Sequence, residues 1–574
     1  MIPCNVSPAS EEIADFIVRY SPRAVDSLYE LARTRCVNLV SQEYAIVHAP
    51  LSGVLPLSFT QHTYSAIPKL YGLQDTTALE AAGILPVFSQ PNLMSTGQGI
   101  LIGMIDTGID YTNPLFQNPD GTSRILRLWD QTIESENTPE AVAGFQPFYG
   151  TVYSQEDLNR ALASEQPLEL VPSTDTSGHG TFLAGVAAGR QIQSPTTFSG
   201  AAPDAALAVV RLKPAKQYLR EFFAVPPDAD AYQENDIRAA VAFLLGVAGQ
   251  YQMPLVLCLG VGTSQGSHSG ISPLAMQLQA LSATRGFACV TGAGNETGFR
   301  HHYFGNLSPD QEYEDVELRV ADSTSGFSME LWADVSELYT VGFVSPSGEV
   351  IERIPMTVGQ ETTISFQLDA TRILISYQIT ESSSGRFLAF LRFTGPAPGI
   401  WHIRVYPTLF VAGQFHIWLP MQGFLTEDTG FLRPDPDITI TDPGNAPLLL
   451  TVSTYNHVTG SLYIHSSRGF TATGQIKPDF AAPGVEVQGP GIPPGTSRLS
   501  RQTGSSVATA ITAGAVACLF SWGFTQGNDT TLTSISVKSI LIRGAERKEA
   551  FRYPNRQWGY GTLNLYQAFL LMRE

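Results

Sequence analysis

The sequence predicts an α/β protein built on a doubly wound parallel sheet, with an all-β unit of the jelly-roll kind inserted into it and a small α/β unit in front. Three observations carry this. From residue 97, apolar runs of strand length alternate with helix-length stretches. Between about 300 and 436 the period switches to two, and no helix-length pattern interrupts it. After 437 the α/β alternation returns. The expected organisation is therefore 1–64, 65–299, 300–436 and 437–574, with the second and fourth parts forming one domain split by the third.

Composition bounds the function. A chain of 574 residues is long enough for about three or four units. Hydrophobic residues make up 43% and charged residues only 15%, against about 25% charged in a typical globular protein. The net charge of −18 argues against nucleic acid as a partner, because phosphate binding needs a surplus of Lys and Arg. The five cysteines, Cys4, Cys36, Cys258, Cys289 and Cys518, form no CxxC pair and support neither a zinc site nor a disulfide framework. The start, MIPCNVSPASEEIADF, lacks the basic and apolar regions of a signal peptide. No uninterrupted apolar run is expected to reach membrane-spanning length. The expected product is a soluble monomer made in the cytoplasm.

The elements follow in order. EEIADFIVRY and AVDSLYELART have helical spacing, and VNLVSQEYAIVHAP reads as strand. GQGILIGMIDTGID is a buried parallel-type strand with Asp106 at its C-terminal edge. ALAVVRL, PLVLCLGVG and FACVTGAG repeat that pattern, and DIRAAVAFLLGVAGQY and PLAMQLQALSATR are helices between them. SMELWADV, YTVGFVSP, RFLAFLRF and IWHIRVY are short alternating runs of a β-sandwich. Its aromatic residues read as core rather than as a sugar or peptide site. APLLLTVST restores the parallel sheet, and TGSSVATAITAGAVACLFSW is a closing helix.

Three polar residues stand out against these apolar elements: Asp106 in IDTGID, His179 in DTSGHGTFLAGVAAG and Ser506 in TGSSVATA. A serine hydroxyl is a poor nucleophile at neutral pH and needs a base. An imidazole supplies one, and a carboxylate holds the imidazole in the useful tautomer. The order Asp, His, Ser is that of subtilisins. Asn295 in VTGAGNET offers an amide donor for the oxyanion of acyl transfer, and the backbone N–H of Ser506 at a helix start offers a second. Each motif alone has a bland alternative: a helix N-cap for Asp106 or Ser506, a turn for His179 or Asn295. Four in this order do not. His268, His301, His302, His402 and His416 match no ligand pattern and read as structural, and Cys258 and Cys289 read as core.

These motifs resemble those of the subtilisin-like serine proteases: DTG with Asp106, GHGT with His179, AGN with Asn295 and G-[ST]-S-x-A with Ser506. GAAPDAALAVVRL, SSRG and KPDFAAPG also match. The stretch GIDYTNPLFQNPDGTSRILRLWDQTI, with the β insertion, is similar to the clostridial germination-specific Csp group of that family. The resemblance implies a serine endopeptidase acting on a protein or peptide, with no cofactor. It implies that Leu259, Gly260 and Gly294 bind the substrate backbone, and that 1–64 is a prodomain serving as docked inhibitor or chaperone. Parallel pairing over long range folds slowly, which gives such a template a purpose. Self-processing is expected near Tyr64–Ser65, ahead of IPKLYGLQDTTALEAAGI. Active members of the group cleave the proenzyme of a spore cortex-lytic enzyme, so a spore-associated location is implied. Others have lost triad residues and are catalytically silent binding proteins, the rival expectation here.

The chain departs from the family pattern in several places. Ser505 stands where Thr is usual, and Ala510 where Pro is usual. Asp106 and His179 are 73 residues apart, against roughly 30 in subtilisin. The excess falls in ESENTPEAVAGFQPFYGTVYSQEDLNRALASE, expected to be a surface loop bordering the cleft. QIQSPTTF lacks the carboxylates of a calcium loop, so no metal is expected.

Overall fold

The apolar runs become the strands Leu101–Asp106, Ala206–Arg211, Leu255–Leu259 and Phe287–Gly292, paired in parallel. Their burial on both faces explains why they read as continuous apolar runs rather than alternations. The full sheet has nine strands. Its order is Ser461–Leu462, Leu450–Asn456, Phe287–Gly292, Leu255–Leu259, Leu101–Asp106, Ala206–Arg211, Ile125–Asp130 and Thr151–Ser154, with Phe480–Pro483 pairing to Leu450–Asn456. The end pairings of Ser461–Leu462 and Thr151–Ser154 are antiparallel. The computed structural model describes residues 13–19, 36–39, 44–54, 77–91, 93–134, 142, 145, 147, 149–192, 198–357, 360–491 and 499–572. The chain divides into two units, Met1–Gln74 and Asp75–Glu574.

In the larger unit the helix Ser505–Phe520 packs against the parallel strands and the helix His179–Ala188. Every residue of Ser505–Phe520 is buried except Ser506. A helix apolar on all sides must lie in a core. The segment Ser505–Thr525 is in fact long and apolar enough to cross a membrane, with a mean hydropathy of 1.7, so the expectation that no run reaches that length is corrected. That window is 89% buried inside the protein, because the core of a large α/β body surrounds its central helix.

Near that core, the KPDFAAPG stretch buries a cation. The Lys477 ammonium donates to the Leu449 carbonyl at 2.7 Å, to Thr451 Oγ1 at 3.0 Å and to Asp479 Oδ2 at 2.8 Å. Lys538 pairs with the other Asp479 oxygen at 2.7 Å. Burial pushes Lys477 down to about 7 against the pull of Asp479. The group ties the entry of the Leu450–Asn456 strand to the segment behind it.

Between His302 and Phe431 the chain forms two antiparallel sheets, of six and five strands. They share one core, with Phe327, Ile373 and Phe393 from one sheet and Val341, Phe343 and Trp401 from the other. Trp418 of this insert stacks on His268 of the body at 4.0 Å. Its indole donates to the Ile438 carbonyl at 3.1 Å, and Arg386 donates to the Ser267 carbonyl at 3.0 Å.

Two local expectations are corrected. EEIADFIVRY contains a strand, Ile13–Arg19, not a helix. It pairs antiparallel with Tyr44–Pro50, which also pairs with Cys36–Leu39. Ile13, Ile17 and Val18 are β-branched, and cross-strand pairing overrides the helical spacing. AVDSLYELART lies outside the described residues. The long segment before His179 is not simply a loop. It supplies the edge strand Thr151–Ser154 and the helix Gln155–Leu162, started by a reciprocal cap between Ser154 and Asp157. Among the described residues, none of this segment lines the cleft.

Candidate active site

Asp106 ends a central strand, and His179 and Ser506 open two helices beside it. The carboxyl ends of parallel strands and the first turns of the helices that follow form the crevice where α/β sheets present side chains. The three residues meet there. His179 Nδ1 donates to Asp106 Oδ1 at 2.7 Å, and His179 Nε2 lies 3.0 Å from the Ser506 hydroxyl, placed to accept its proton. Within each helix everything after the first turn is buried, but His179 and Ser506 keep contact with solvent. The Asp106 side chain is 1% exposed and that of His179 33%.

Further contacts fix this geometry. The Thr107 N–H donates to Asp106 Oδ1 at 2.8 Å. Asp106 Oδ2 has no hydrogen-bond partner among the described residues. It faces Gly260, where a Cβ would lie 2.9 Å from it and 2.7 Å from Leu183 Cδ1. Only glycine lets the chain pass so close to the carboxylate. Asp175, which sequence reasoning missed, organises the His179 helix. Its two oxygens accept from the N–H groups of Ser177, Gly178 and Thr181 and from the hydroxyls of Thr107 and Thr181, at 2.8 to 3.1 Å. The signal was available: an Asp just ahead of a helix start in DTSGHGT is a capping pattern.

Asn295 follows the Phe287–Gly292 strand. Its Oδ1 accepts from the Ser505 N–H at 2.9 Å, which orients the amide and leaves Nδ2 to donate. The position a Cβ on Gly504 would take is open, 3.5 Å from Ser506 Oγ and 3.6 Å from Asn295 Nδ2. Nucleophile and amide thus border one small space.

The remaining expected residues fall in different places. Gly260 lines a cleft of 1190 Å³, together with His179 and Val261, Gly262 and Thr263. Trp332, Leu388 and the segment Met421–Leu425 of the β insert also line it. Leu259 is fully buried at its strand end. The Gly294 carbonyl accepts from the Ser467 N–H at 3.0 Å. Tyr64 and Ser65 lie outside the described residues. His268 is buried with its ring nitrogens 2.9 and 3.0 Å from the carbonyls of Ile440 and Ser264, a structural role.

Burial of the His179 ring disfavours the imidazolium. The Asp106 carboxylate, aided by Asp175 and Asp230, outweighs it and raises the pKa above the ordinary 6.5. Chemically, the arrangement can take a proton from Ser506, hold the resulting imidazolium and receive an oxyanion beside Asn295.

Aspartate, histidine and serine hydrogen-bonded in line, in that chain order on a parallel sheet, are the mark of serine hydrolases of the subtilisin kind. The family comparison agrees. The subtilase family profile matches residues 97–351 and 434–561, and the chain belongs to the subtilase family, a family of serine proteases. The solved structure of the Clostridium perfringens CspB protease is 28% identical, with a TM-score of 0.75 over 87% of this chain and 97% of that one. The subtilisin-like protease SBT1.9 of Arabidopsis thaliana is 30% identical over 154 residues, 25% of this chain. The match spans only 19% of that relative's length.

Proposed function

We propose that this chain is a serine endopeptidase in which Asp106, His179 and Ser506 act as a catalytic triad. Ser506 Oγ attacks the scissile carbonyl while His179 Nε2 takes its proton. Asp106 orients the ring and stabilises the imidazolium. Asn295 Nδ2 and the Ser506 N–H donate to the oxyanion. His179 then returns the proton to the leaving amine, and water repeats the cycle on the acyl-enzyme. The observation that carries this is the unbroken line from Asp106 Oδ1 through His179 to Ser506 Oγ, at 2.7 and 3.0 Å.

The proposal extends to self-processing near Tyr64–Ser65, with the N-terminal segment acting as inhibitor or chaperone. It extends further to activation of a spore cortex-lytic proenzyme in a cytoplasmic or spore-associated setting, on the resemblance of GIDYTNPLFQNPDGTSRILRLWDQTI to the Csp group. Intact mass and N-terminal sequencing of the wild type beside Ser506→Ala test the chemistry. A cut in the wild type alone supports a working triad and self-processing. If both chains stay whole, a fluorophosphonate decides: label on Ser506 leaves a protease activated in trans, and no label leaves a silent binding protein.

A further inference from the structure

The active-site cleft is one-sided in charge. Six carboxylates besides Asp106 line it: Asp228, Asp230, Glu234, Glu330, Glu381 and Asp442. No lysine or arginine does so among the described residues. The cations nearby are committed elsewhere. Arg211 pairs with Asp130 at 3.1 Å and Lys213 with Asp236. The Arg220 guanidinium donates to the carbonyls of Ala215, Pro226, Pro227, Ala229 and Ala231, and so holds the cleft-wall loop that carries Asp228 and Asp230. Arg386, which does not line the cleft, donates through Nη1 to the Ser267 carbonyl at 3.0 Å, while its Nε has no hydrogen-bond partner among the described residues.

Two of these carboxylates are set into the wall itself. Glu330 and Asp442 are each only 9% exposed. One Glu330 oxygen accepts from the Gly266 N–H and the Trp332 indole, both at 2.8 Å. One Asp442 oxygen accepts from the Ser272 hydroxyl at 2.5 Å. The second oxygen of each has no hydrogen-bond partner among the described residues, and both residues face the cleft. Asp442 is fixed by a backbone pair with Thr263, at 2.8 and 3.0 Å, on the segment continuing from Gly260. Burial raises both acids, Asp442 to about 7. A cation arriving beside such a buried acid favours its charged form more than it does beside a solvated one. Among the described residues no three acidic, histidine or cysteine side chains converge as a metal cluster. The charge is distributed over the cleft lining rather than gathered at one point. Asp230 also acts on His179, which ties the acidic wall to the reacting centre.

We infer that the cleft selects protein substrates with a lysine or arginine close to the scissile bond, and that Glu330 of the β insert and Asp442 of the body receive that cation. This rests on the endopeptidase reading above. It gives the insert a part in recognition: one wall of the groove and one of its two buried acids belong to it.

The test uses the full chain and paired fluorogenic peptides, identical except for one Lys or Glu walked through the positions on either side of the cut. Rates are normalised to the fraction of chains that a fluorophosphonate labels. At one or more positions kcat/KM for the Lys peptide should exceed that of its Glu twin by about tenfold or more, and the ratio should shrink as salt is raised. In Glu330→Gln with Asp442→Asn, the ratio should fall at least about threefold, read within one preparation so that partial misfolding cancels. A labelled chain that cleaves the Lys series no faster than the Glu series overturns the specificity while leaving the protease. A preference that the double substitution leaves intact overturns the assignment to Glu330 and Asp442, and salt insensitivity overturns its electrostatic basis. A chain that takes no label overturns the endopeptidase reading itself.

Discussion

In the proposed mechanism two residues set the chemistry most directly. His179 must be neutral to accept the Ser506 proton. Its pKa is raised above 6.5 because the Asp106 carboxylate, with Asp175 and Asp230, outweighs burial of the ring. Activity is therefore lost as pH falls through this raised value, and the acid limb should have its midpoint above 6.5. The rate of fluorophosphonate labelling against pH measures it, and a midpoint below 6.5 contradicts the assignment. The stability linkage has its own sign. The attraction between Asp106 and the imidazolium is full below 6.5 and is lost as pH rises through the folded value. Asn295 is the second. Asn295→Ala should lower kcat by about a hundredfold or more with KM little changed, as loss of one oxyanion donor does in serine proteases of this kind. An equal fall in binding and no fall in kcat would assign Asn295 to ground-state contact instead.

Helix starts do the positioning. Both His179 and Ser506 sit in first turns, where N–H groups lack intrahelical partners. Asn295 Oδ1 satisfies one of these for the Ser506 helix, and Asp175 satisfies two ahead of the His179 helix and one within it. Asp175→Ala should cost about 2–3 kcal/mol of stability, from buried donors losing a charged acceptor, and should lower kcat by letting the imidazole drift. Asp175→Asn should recover part of the stability. Urea melts alongside kcat and KM check it, and an unchanged kcat would confine Asp175 to stability. Sequence failed differently at Ile13–Arg19. Helical spacing there was real, but pairing with the strand Tyr44–Pro50, outside the window that the spacing reads, decided the outcome.

At the scale of the molecule, the β insert is joined to the body by a ring stack and by hydrogen bonds in both directions. The Trp418 ring lies 4.0 Å from His268, Glu330 holds the Gly266 N–H and Arg386 holds the Ser267 carbonyl. Interfaces with this much buried polar matching do not open freely. Insert and body should unfold in one calorimetric transition, with fluorophosphonate labelling lost across the same temperatures. Two transitions, the first leaving labelling intact, would make the insert an independent module and weaken its place in the cleft wall.

The sequence by itself determined the parallel sheet, read the α/β pattern as interrupted between about 300 and 436, and singled out Asp106, His179, Asn295 and Ser506 as candidates. Those features are written locally: a polar residue at the end of an apolar run, a glycine-flanked histidine, small residues at a helix start. Tertiary structure alone decided how they combine. It brought Ser506 within 3.0 Å of a histidine 327 residues away and placed Gly260 against Asp106. It also turned the insert from a sandwich with its own core into a wall of the cleft. Period-two alternation says which face of a strand is buried. It does not say which loops of the unit meet another domain, because that depends on packing between segments hundreds of residues apart. The acidic lining was invisible for the same reason. Its carboxylates come from loops and strands between Asp228 and Asp442, and a net charge of −18 gives no sign of where the charge collects.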